Sequence, residues 1–449
     1  MARVSEKLDL PFLVTSHERR ATSKIMERIV IINGIRTPFC KMGTEFNDVT
    51  AQELGRIATR ELLERTDIDP QIIDEVIFGN VSQPMDAANI SRVIALLAGI
   101  PKTTPAFTVH RNCASGLEAV ATAALKIQGG DARCILAGGT ESMSNVPFFF
   151  TKKLQEIISH FSRAKNLPEK LAALSQIRPP YLAPQIGLQF GLTDPVCGLN
   201  MGQTAEVLAK EFGLTREEQD QFALASHLRA LKAREILKEE MIAVIPGPKY
   251  KKAVEFDNGP RENQTMEALT KLKPYFDKYS GTVTAGNSSQ ITDGAAALLV
   301  ASESLAKELN LEPLGFVRAA AVAGVEPHRM GIAPAHAIPK VLKKAGLKLS
   351  DIQAVEINEA FAVQVLACVR ALESEKFAKE FGYEGYTGTI RPEILNVNGG
   401  AIALGHPVGA TGARLILTML KHLKRNHLNT GLVSLCIGGG QGAAMVLER

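Results

Sequence analysis

The sequence predicts an α/β fold of two related halves, with a loop domain inserted in the first. Three observations predict it. β-rich runs alternate with helix-spaced runs from residue 28 to about 144, and again from 281 to the end. The order turn, helix, strand, Gly-Gly around Cys113 recurs around His406. Between about 145 and 280 the alternation stops, and the chain is richer in charge and proline. Alternating strands and helices imply a mostly parallel sheet covered by helices. An internally repeated order implies two related units.

Residues 1–27 read as a loose arm. RIVIIN (28–33) is β-rich, and Arg36-Thr37-Pro38 turns the chain. Leu54, Ile57, Ala58, Leu62 and Leu63 give helical spacing over 51–65, followed by a strand in DEVIFGNV (74–81). Residues 106–109 lead into the Cys113 turn. A helix follows over 114–128, with Leu117, Val120, Ala121, Ala124 and Leu125 on one face. Gly129-Gly130 stops it. Cys134–Ala137 reads as a buried strand ending in GGTE. Inside the insertion, Thr215 and Glu218 form a capping box. Regular texture returns over 281–302. In the second half, 315–323 and 354–357 read as strands, and 334–346 and 359–373 as helices. A helix at 410–424 and a strand at 431–437 follow the glycine turn that carries His406. The expected division is a first half over 28–310, with the loop domain at about 145–280, and a second half over 311–449.

The chain has 449 residues, enough for two or three domains, and its net charge is only +4. A nucleic-acid binder would show a stronger basic stripe. The six cysteines are scattered, with no C-x-x-C pair, which fits a reducing compartment better than a disulfide or zinc framework. The N-terminus lacks the apolar run of a secretory signal, and no window approaches the ~20 apolar residues of a membrane span. A soluble, cytoplasmic protein is expected.

The organising stretch is TVHRNCASGL (108–117). Cys113 sits at the mouth of a helix, where exposed N–H groups and the positive dipole end stabilise a thiolate. Taken alone, it also reads as a small buried core cysteine. His406, in Gly-His-Pro, can take the thiol proton and then donate a hydrogen bond, or simply bond its own turn. Cys436 ends an apolar strand before three glycines. It can shuttle a proton while the Gly438 N–H binds an oxyanion, or it is a buried strand cysteine. Asn358 opens NEAFA, where it reads either as a helix N-cap or as the holder of a carbonyl-polarising water.

These stretches, with GGTESMSNVP (138–147), MGQTAE (201–206), LTREEQDQFALASH (214–227), GTVTAGNSSQITDGAAA (281–297), NEAFA (358–362), NGGAIALGHPVGATGAR (398–414) and CIGGGQG (436–442), resemble the thiolase family over roughly 28–449. The resemblance implies mixed sheets in αβαβα layers. It implies Cys113 as the acylated nucleophile, and His406 as the group that activates it and contributes to one oxyanion hole. Asn358 would hold the water that completes that hole. Cys436 would be the acid/base, and the N–H groups of Cys113 and Gly438 the second hole. Ser289 and Met201 match coenzyme-A-contacting positions. Where some members carry His before Met-Gly, this chain has Asn200. Coenzyme A is then a substrate, no metal or other cofactor is implied, and a homodimer or homotetramer is expected.

Residues 147–174 form a longer segment than many thiolases have, with an apolar stripe of Leu154, Ile157, Ile158 and Phe161 among basic residues. It resembles the insertion in thiolase subunits of fatty-acid β-oxidation complexes, as does FGYEGYTG (381–388). This implies contact with a hydratase/dehydrogenase subunit or a membrane surface; an ordinary helix on the loop domain is the plainer reading. Asn358 departs from those subunits, which typically carry His there. The expected activity is thiolytic cleavage of 3-ketoacyl-CoA. The alternatives are an acetoacetyl-CoA thiolase working in Claisen condensation, and an inactive thiolase-like lipid-binding or assembly protein.

Overall fold

β-Branched runs form strands and leucine/alanine-spaced runs form helices in the computed structural model, which describes residues 27–248 and 250–449. The arm expected over 1–27 lies, but for its last residue, outside the described residues. In chain order the longer elements of the first half are β1 (Ile29–Arg36), α1 (Ala51–Thr66), β2 (Glu75–Gly79), α2 (Ile90–Leu97), β3 (Ala106–Val109), α3 (Ser115–Gly129), β4 (Cys134–Glu141), α4 (Lys152–Arg163), α5 (Leu167–Leu174), α6 (Met201–Glu211), α7 (Arg216–Leu237) and β5 (Thr292–Ser302). Those of the second half are β6 (Gly315–Gly324), α8 (Pro334–Ala345), β7 (Ala354–Ile357), α9 (Ala362–Leu372), α10 (Val408–Arg425), β8 (Thr430–Ile437) and β9 (Gln441–Glu448).

The predicted stops and caps are present. Gly130 ends α3 in the left-handed region at φ 84°. At the start of α7, the Glu218 N–H donates to Thr215 Oγ1 at 3.2 Å, and the Thr215 N–H to Glu218 Oε2 at 2.8 Å. The insertion also stands out in the topology. β4 and β5 are hydrogen-bonded neighbours, and the chain between Glu141 and Thr292 runs through α4 to α7 before returning.

The hydrogen-bonded order is β7-β8-β9-β6-β1-β5-β4-β2-β3, and the sheet is mixed, as the family resemblance implied; the mostly parallel sheet suggested by the alternation of strands and helices is corrected. Parallel pairing is confined, among the described residues, to β7–β8, β2–β3 and β2–β4. The reason is local. The Gly438–Gly440 turn folds β9 straight back on β8, with Ile437 opposite Gln441, and β5 returns antiparallel to β4. β9 escaped the sequence reading because AAMVLE is buried on both faces and does not alternate.

The layering is αβαβα. Alternate residues of β4 point to opposite sides: Cys134 and Leu136 join α1 and α2 in one core, and Ile135 and Ala137 join the central core. The central core places α3 (Leu117, Val120, Ile127) beside α10 (Leu415, Ile416, Leu420), between the two half-sheets. On the far side, Leu432 and Val446 pack with α8 and α9. Each buried Leu or Ile of this kind contributes on the order of 1.5–3 kcal/mol.

The two central helices touch through glycines. A Cβ on Gly412 would lie 2.3 Å from the Leu117 nitrogen, and one on Gly116 would lie 2.8 Å from both the Ala413 nitrogen and the Gly409 oxygen. Glycine in a helix interior costs about 1 kcal/mol relative to alanine. Here it permits a separation that no side chain would allow. Gly412→Ala is expected to lower the unfolding free energy by about 1–3 kcal/mol, measured by denaturant titration. Gly129→Ala, whose Cβ would meet only Asp131 Oδ2 at 3.9 Å, should stay within about 0.5 kcal/mol of the parent.

Candidate functional site

The contact between α3 and α10 aligns their N-terminal ends. Cys113 sits just before the first, in the turn that precedes Ser115, and His406 sits two residues before the second. Asn112 takes the left-handed conformation at φ 42°, and its side chain supports the turn by donating from Nδ2 to the Gly438 carbonyl at 2.7 Å. Arg111 adds a paired contact to Glu118 and one to Gln441 Oε1. The nucleophile turn is thereby tied to the β8–β9 turn, across nearly the whole length of the chain.

Cys113, His406, Cys436 and Gly438 line one cavity of about 370 Å³, together with Ser289 and Met201. Cys436 reaches it from the end of β8. The sequence-predicted residues thus converge, except that Asn358 does not line the cavity itself; its neighbours Ala360 and Phe361 do. The N-cap reading of Asn358 is set aside, because α9 begins only at Ala362 with Phe361 in the capping position. The Asn358 side chain is 1 % exposed, and neither of its polar atoms has a hydrogen-bond partner. Buried amides are seldom left so. The Asn200 side-chain oxygen is committed to starting α6, accepting from Gln203 N at 2.9 Å.

The electrostatics differ from the sequence expectation at one point. A helix mouth should ionise Cys113, yet burial pushes its thiol above the ordinary range, opposed by the N–H groups of Gly438 and of Cys113 itself. The resting sulfur therefore keeps its proton, and two backbone donors already converge on it. Burial likewise raises Cys436 well above a normal thiol, and the nearby Cys113 adds to the shift. His406 is pushed down to about 3, first by burial and then by the Arg414 cation, so its imidazole is neutral.

The tautomer follows from the partners of Thr411. Its hydroxyl donates to the Pro407 carbonyl at 3.0 Å, so it accepts from His406 Nδ1–H at 2.7 Å. Nε2 is left bare, and it is buried without a partner. A neutral imidazole with a free lone pair, lining the same cavity as a protonated thiol, has the chemistry of a general base.

Two acids that the sequence reading passed over hold the site together. Glu141, at the end of β4, accepts from the N–H groups of Val81, Ser82 and Gly409, and burial pushes it up to about 7. Glu359 accepts from Ser226 Oγ at 2.6 Å, Asn396 Nδ2 at 2.9 Å and the Ile402 N–H at 3.2 Å. It thereby fixes the loop that leads to His406. Glutamate inside GGTE and NEAFA was the available signal, but its partners lie more than 30 residues away.

Comparison with known proteins follows the same outline. A model of the thiolase N-terminal domain matches residues 29–304, and one of the thiolase C-terminal domain matches 311–449. A 3-ketoacyl-CoA thiolase of Aliivibrio fischeri is 42 % identical over 431 residues, covering 95 % of this chain and 97 % of that one. One from Escherichia coli is 42 % identical over 426 residues, covering 94 % and 97 %. Among solved structures, acetyl-CoA acetyltransferase of Bacillus anthracis superposes with a TM-score of 0.82 at 38 % identity, covering 94 % of this chain and 99 % of that one. Human mitochondrial 3-ketoacyl-CoA thiolase in complex with CoA superposes at 0.81 and 36 %, covering 94 % and 98 %.

Because Thr411 sets the tautomer, Thr411→Val should slow alkylation of Cys113 by iodoacetamide at neutral pH by about tenfold, roughly 1.4 kcal/mol of barrier. Thr411→Ser should leave the rate near that of the parent. Peptide mapping of the modified thiol reads both.

Proposed function

The chain belongs to the thiolase family and is an acyltransferase, and from that premise we propose that it cleaves 3-ketoacyl-CoA with coenzyme A to acetyl-CoA and a shortened acyl-CoA. The observation that carries this reading is the single cavity shared by the Cys113 thiol, the bare Nε2 of His406 and the Cys436 thiol. His406 Nε2 takes the Cys113 proton as the sulfur attacks the keto carbon. The N–H groups of Cys113 and Gly438 receive the oxyanion formed there. The C2–C3 bond then breaks, and its electron pair leaves with the acetyl-CoA enolate. The enolate oxygen is met by the new Nε2–H of His406 and by a water held on Asn358. Cys436, whose thiol is held well above the normal range, delivers its proton to the enolate carbon. The resulting thiolate deprotonates coenzyme A, which attacks the acyl-Cys113 thioester; the acyl–sulfur bond breaks, the shortened acyl-CoA leaves, and the freed Cys113 thiolate takes back the proton from His406 Nε2. The cycle is written with coenzyme A as substrate and no resident cofactor. Ser289 and Met201 are assigned to the pantetheine arm on their place in the cavity wall.

The condensing direction, two acyl-CoA molecules joined by the same groups in reverse, is supported by the likeness to the Bacillus anthracis acetyl-CoA acetyltransferase. The names of the relatives at 42 % identity favour degradation. The six cysteines are unpaired, which supports a reducing, cytoplasmic setting, and no helix among the described residues is long and apolar enough to cross a membrane. A homodimer or homotetramer is assigned on family resemblance.

Of the stripe that the sequence offered for contact with a partner, Leu154 and Ile157 face inward, as the plainer reading expected, so an interaction role for the insertion rests on other side chains. Leu154 and Ile157 are buried against the loop domain, whereas Phe148, Phe150, Ile158, Leu167, Leu171 and Leu174 are exposed beside Lys152, Lys153 and Lys170. An apolar surface rimmed by cations supports contact with a β-oxidation partner subunit or a membrane surface.

Intact-protein mass spectrometry after addition of 3-ketoacyl-CoA should show an acyl adduct on Cys113 that is absent from Cys113→Ala; a wild-type chain that stays unmodified would leave the inactive, lipid-binding alternative. Cys436→Ser should lower kcat by at least about 100-fold. In a chain-length series, kcat/KM should remain high at medium-length substrates, and a sharp optimum at acetoacetyl-CoA would transfer the assignment to the condensing enzyme.

A further inference from the structure

Helix α10 carries a second group that bears on the site. Arg414 is fully buried, and none of its guanidinium nitrogens makes a hydrogen bond. Its one ionic contact among the described residues is Glu356 on β7, Nη1 to Oε2 at 3.6 Å. Glu356 is buried as well, and burial pushes its carboxyl up to about 8 against the pull of Arg414. A buried pair with so few hydrogen bonds adds little to stability, since desolvation offsets the attraction. Its position is more informative than its strength. Arg414 lies on the helix that His406 precedes by two residues. Glu356 lies on β7, two residues before Asn358, which follows the end of that strand, and three before Glu359, which fixes the His406 loop.

We propose that the Arg414–Glu356 pair is a positioning device for the enolate-stabilising face of the cavity, fixing α10 against β7 so that His406 and Asn358 address one oxygen. The proposal rests on the thiolase reading above. The pair acts by charge as well as by distance. The titratable groups on elements packed around His406 are Glu141 at Gly409, Glu359 beneath Gly400 and Ile402, Glu356 on β7, Asp293 on β5 next to the Thr292 that meets Gly405, and the thiols Cys113 and Cys436 across the cavity, with Glu240 and Arg36 further along α10 around Arg414. Arg414 is the cation of the set that acts on His406. A fixed positive charge disfavours imidazolium, so it keeps His406 neutral and able to accept a proton. Removing that charge must raise the imidazole pKa.

The test uses the full chain and two readouts. The first is an NMR titration of His406 in histidine-labelled protein, with the signal identified by its absence from His406→Asn. The parent signal should not titrate above about pH 5, whereas in Arg414→Met the titration should move to higher pH, while staying below the ordinary imidazole range because burial, the larger cause, remains. Arg414→Lys should restore silence. A signal as silent in Arg414→Met as in the parent would falsify the electrostatic part. The second readout uses Glu356→Gln, the nearest change in shape, and carries the test even if Arg414→Met does not fold. Thiolysis of 3-ketoacyl-CoA is compared with exchange of labelled coenzyme A into acyl-CoA, a half-reaction that uses Cys113, His406, Cys436 and Gly438 but forms no enolate and so makes no demand on Asn358. The expected result is a fall of about tenfold in thiolysis kcat at unchanged KM, with a clearly smaller fall in exchange, because only thiolysis needs His406 and Asn358 on the same oxygen. Equal losses in both reactions mean a purely structural role and overturn the proposal. Absence of thiolysis in the parent chain refutes the reading of the previous subsection, while the imidazole titration still decides whether Arg414 governs His406.

Discussion

The close approach of α3 and α10 at the centre of the molecule is the constraint on which the rest depends. Two helices carrying leucines at every contact would sit about 8–10 Å apart along their axes. Here Gly116 and Gly412 remove the side chains at the crossing, and backbone meets backbone. The consequence is functional as well as architectural. Each helix belongs to a different half, each begins with a residue that bears on the chemistry, and both N-terminal ends open on the same cavity. The internal repeat thus brings its two copies of one motif together at one point, where they have diverged into a thiol and an imidazole.

Burial decides the charge state of that point. A helix dipole favours a thiolate by about 0.3–1 kcal/mol at an exposed end. Desolvation of a thiolate in an apolar cavity acts against this, and here it outweighs the donors. The same burial holds His406 neutral, so thiol and imidazole rest uncharged beside each other. In the proposed reaction, charge separation waits for a substrate carbonyl, whose oxyanion the N–H groups of Cys113 and Gly438 would receive. This is electrostatic preorganisation in the ordinary sense: donors are fixed before the charge they serve exists.

The sequence made the local parts of this legible and left the distant ones hidden. The Thr215–Glu218 capping box, the Gly130 stop and the strand at Ala354–Ile357 follow from residues a few positions apart, and all three are present. Cys113, His406 and Cys436 could be named because glycines surround each. The alternation of strands and helices misread the sheet as mostly parallel, and only the family resemblance implied a mixed one, because the polarity depends on where β9 and β5 return, which no spacing within either strand records. Glu141 and Glu359 were missed for a related reason. A buried carboxylate is known by what it accepts from, and their donors come from Gly409, Ser226, Asn396 and Ile402. The α6 helix hid behind its motif: MGQTAE drew attention as a ligand contact, whereas Asn200 and Gln203 use their side chains to start the helix.

Glu141 and Glu359 also explain how a site assembled from such distant segments stays rigid. Each acid is buried, each has its pKa raised by burial, and each is stabilised by donors from more than one element. Glu141 joins the first half to the start of α10 through the Gly409 N–H. Glu359 joins the inserted domain, through Ser226 of α7, to the loop that ends at His406. An imidazole displaced by as little as ~1 Å can lose much of its catalytic effect. The two carboxylates therefore place His406 under restraint from both sides, one from the half that carries the nucleophile and one from the domain that lies over the cavity. The inserted loop domain is in this sense part of the catalytic scaffold and not an appendage to it.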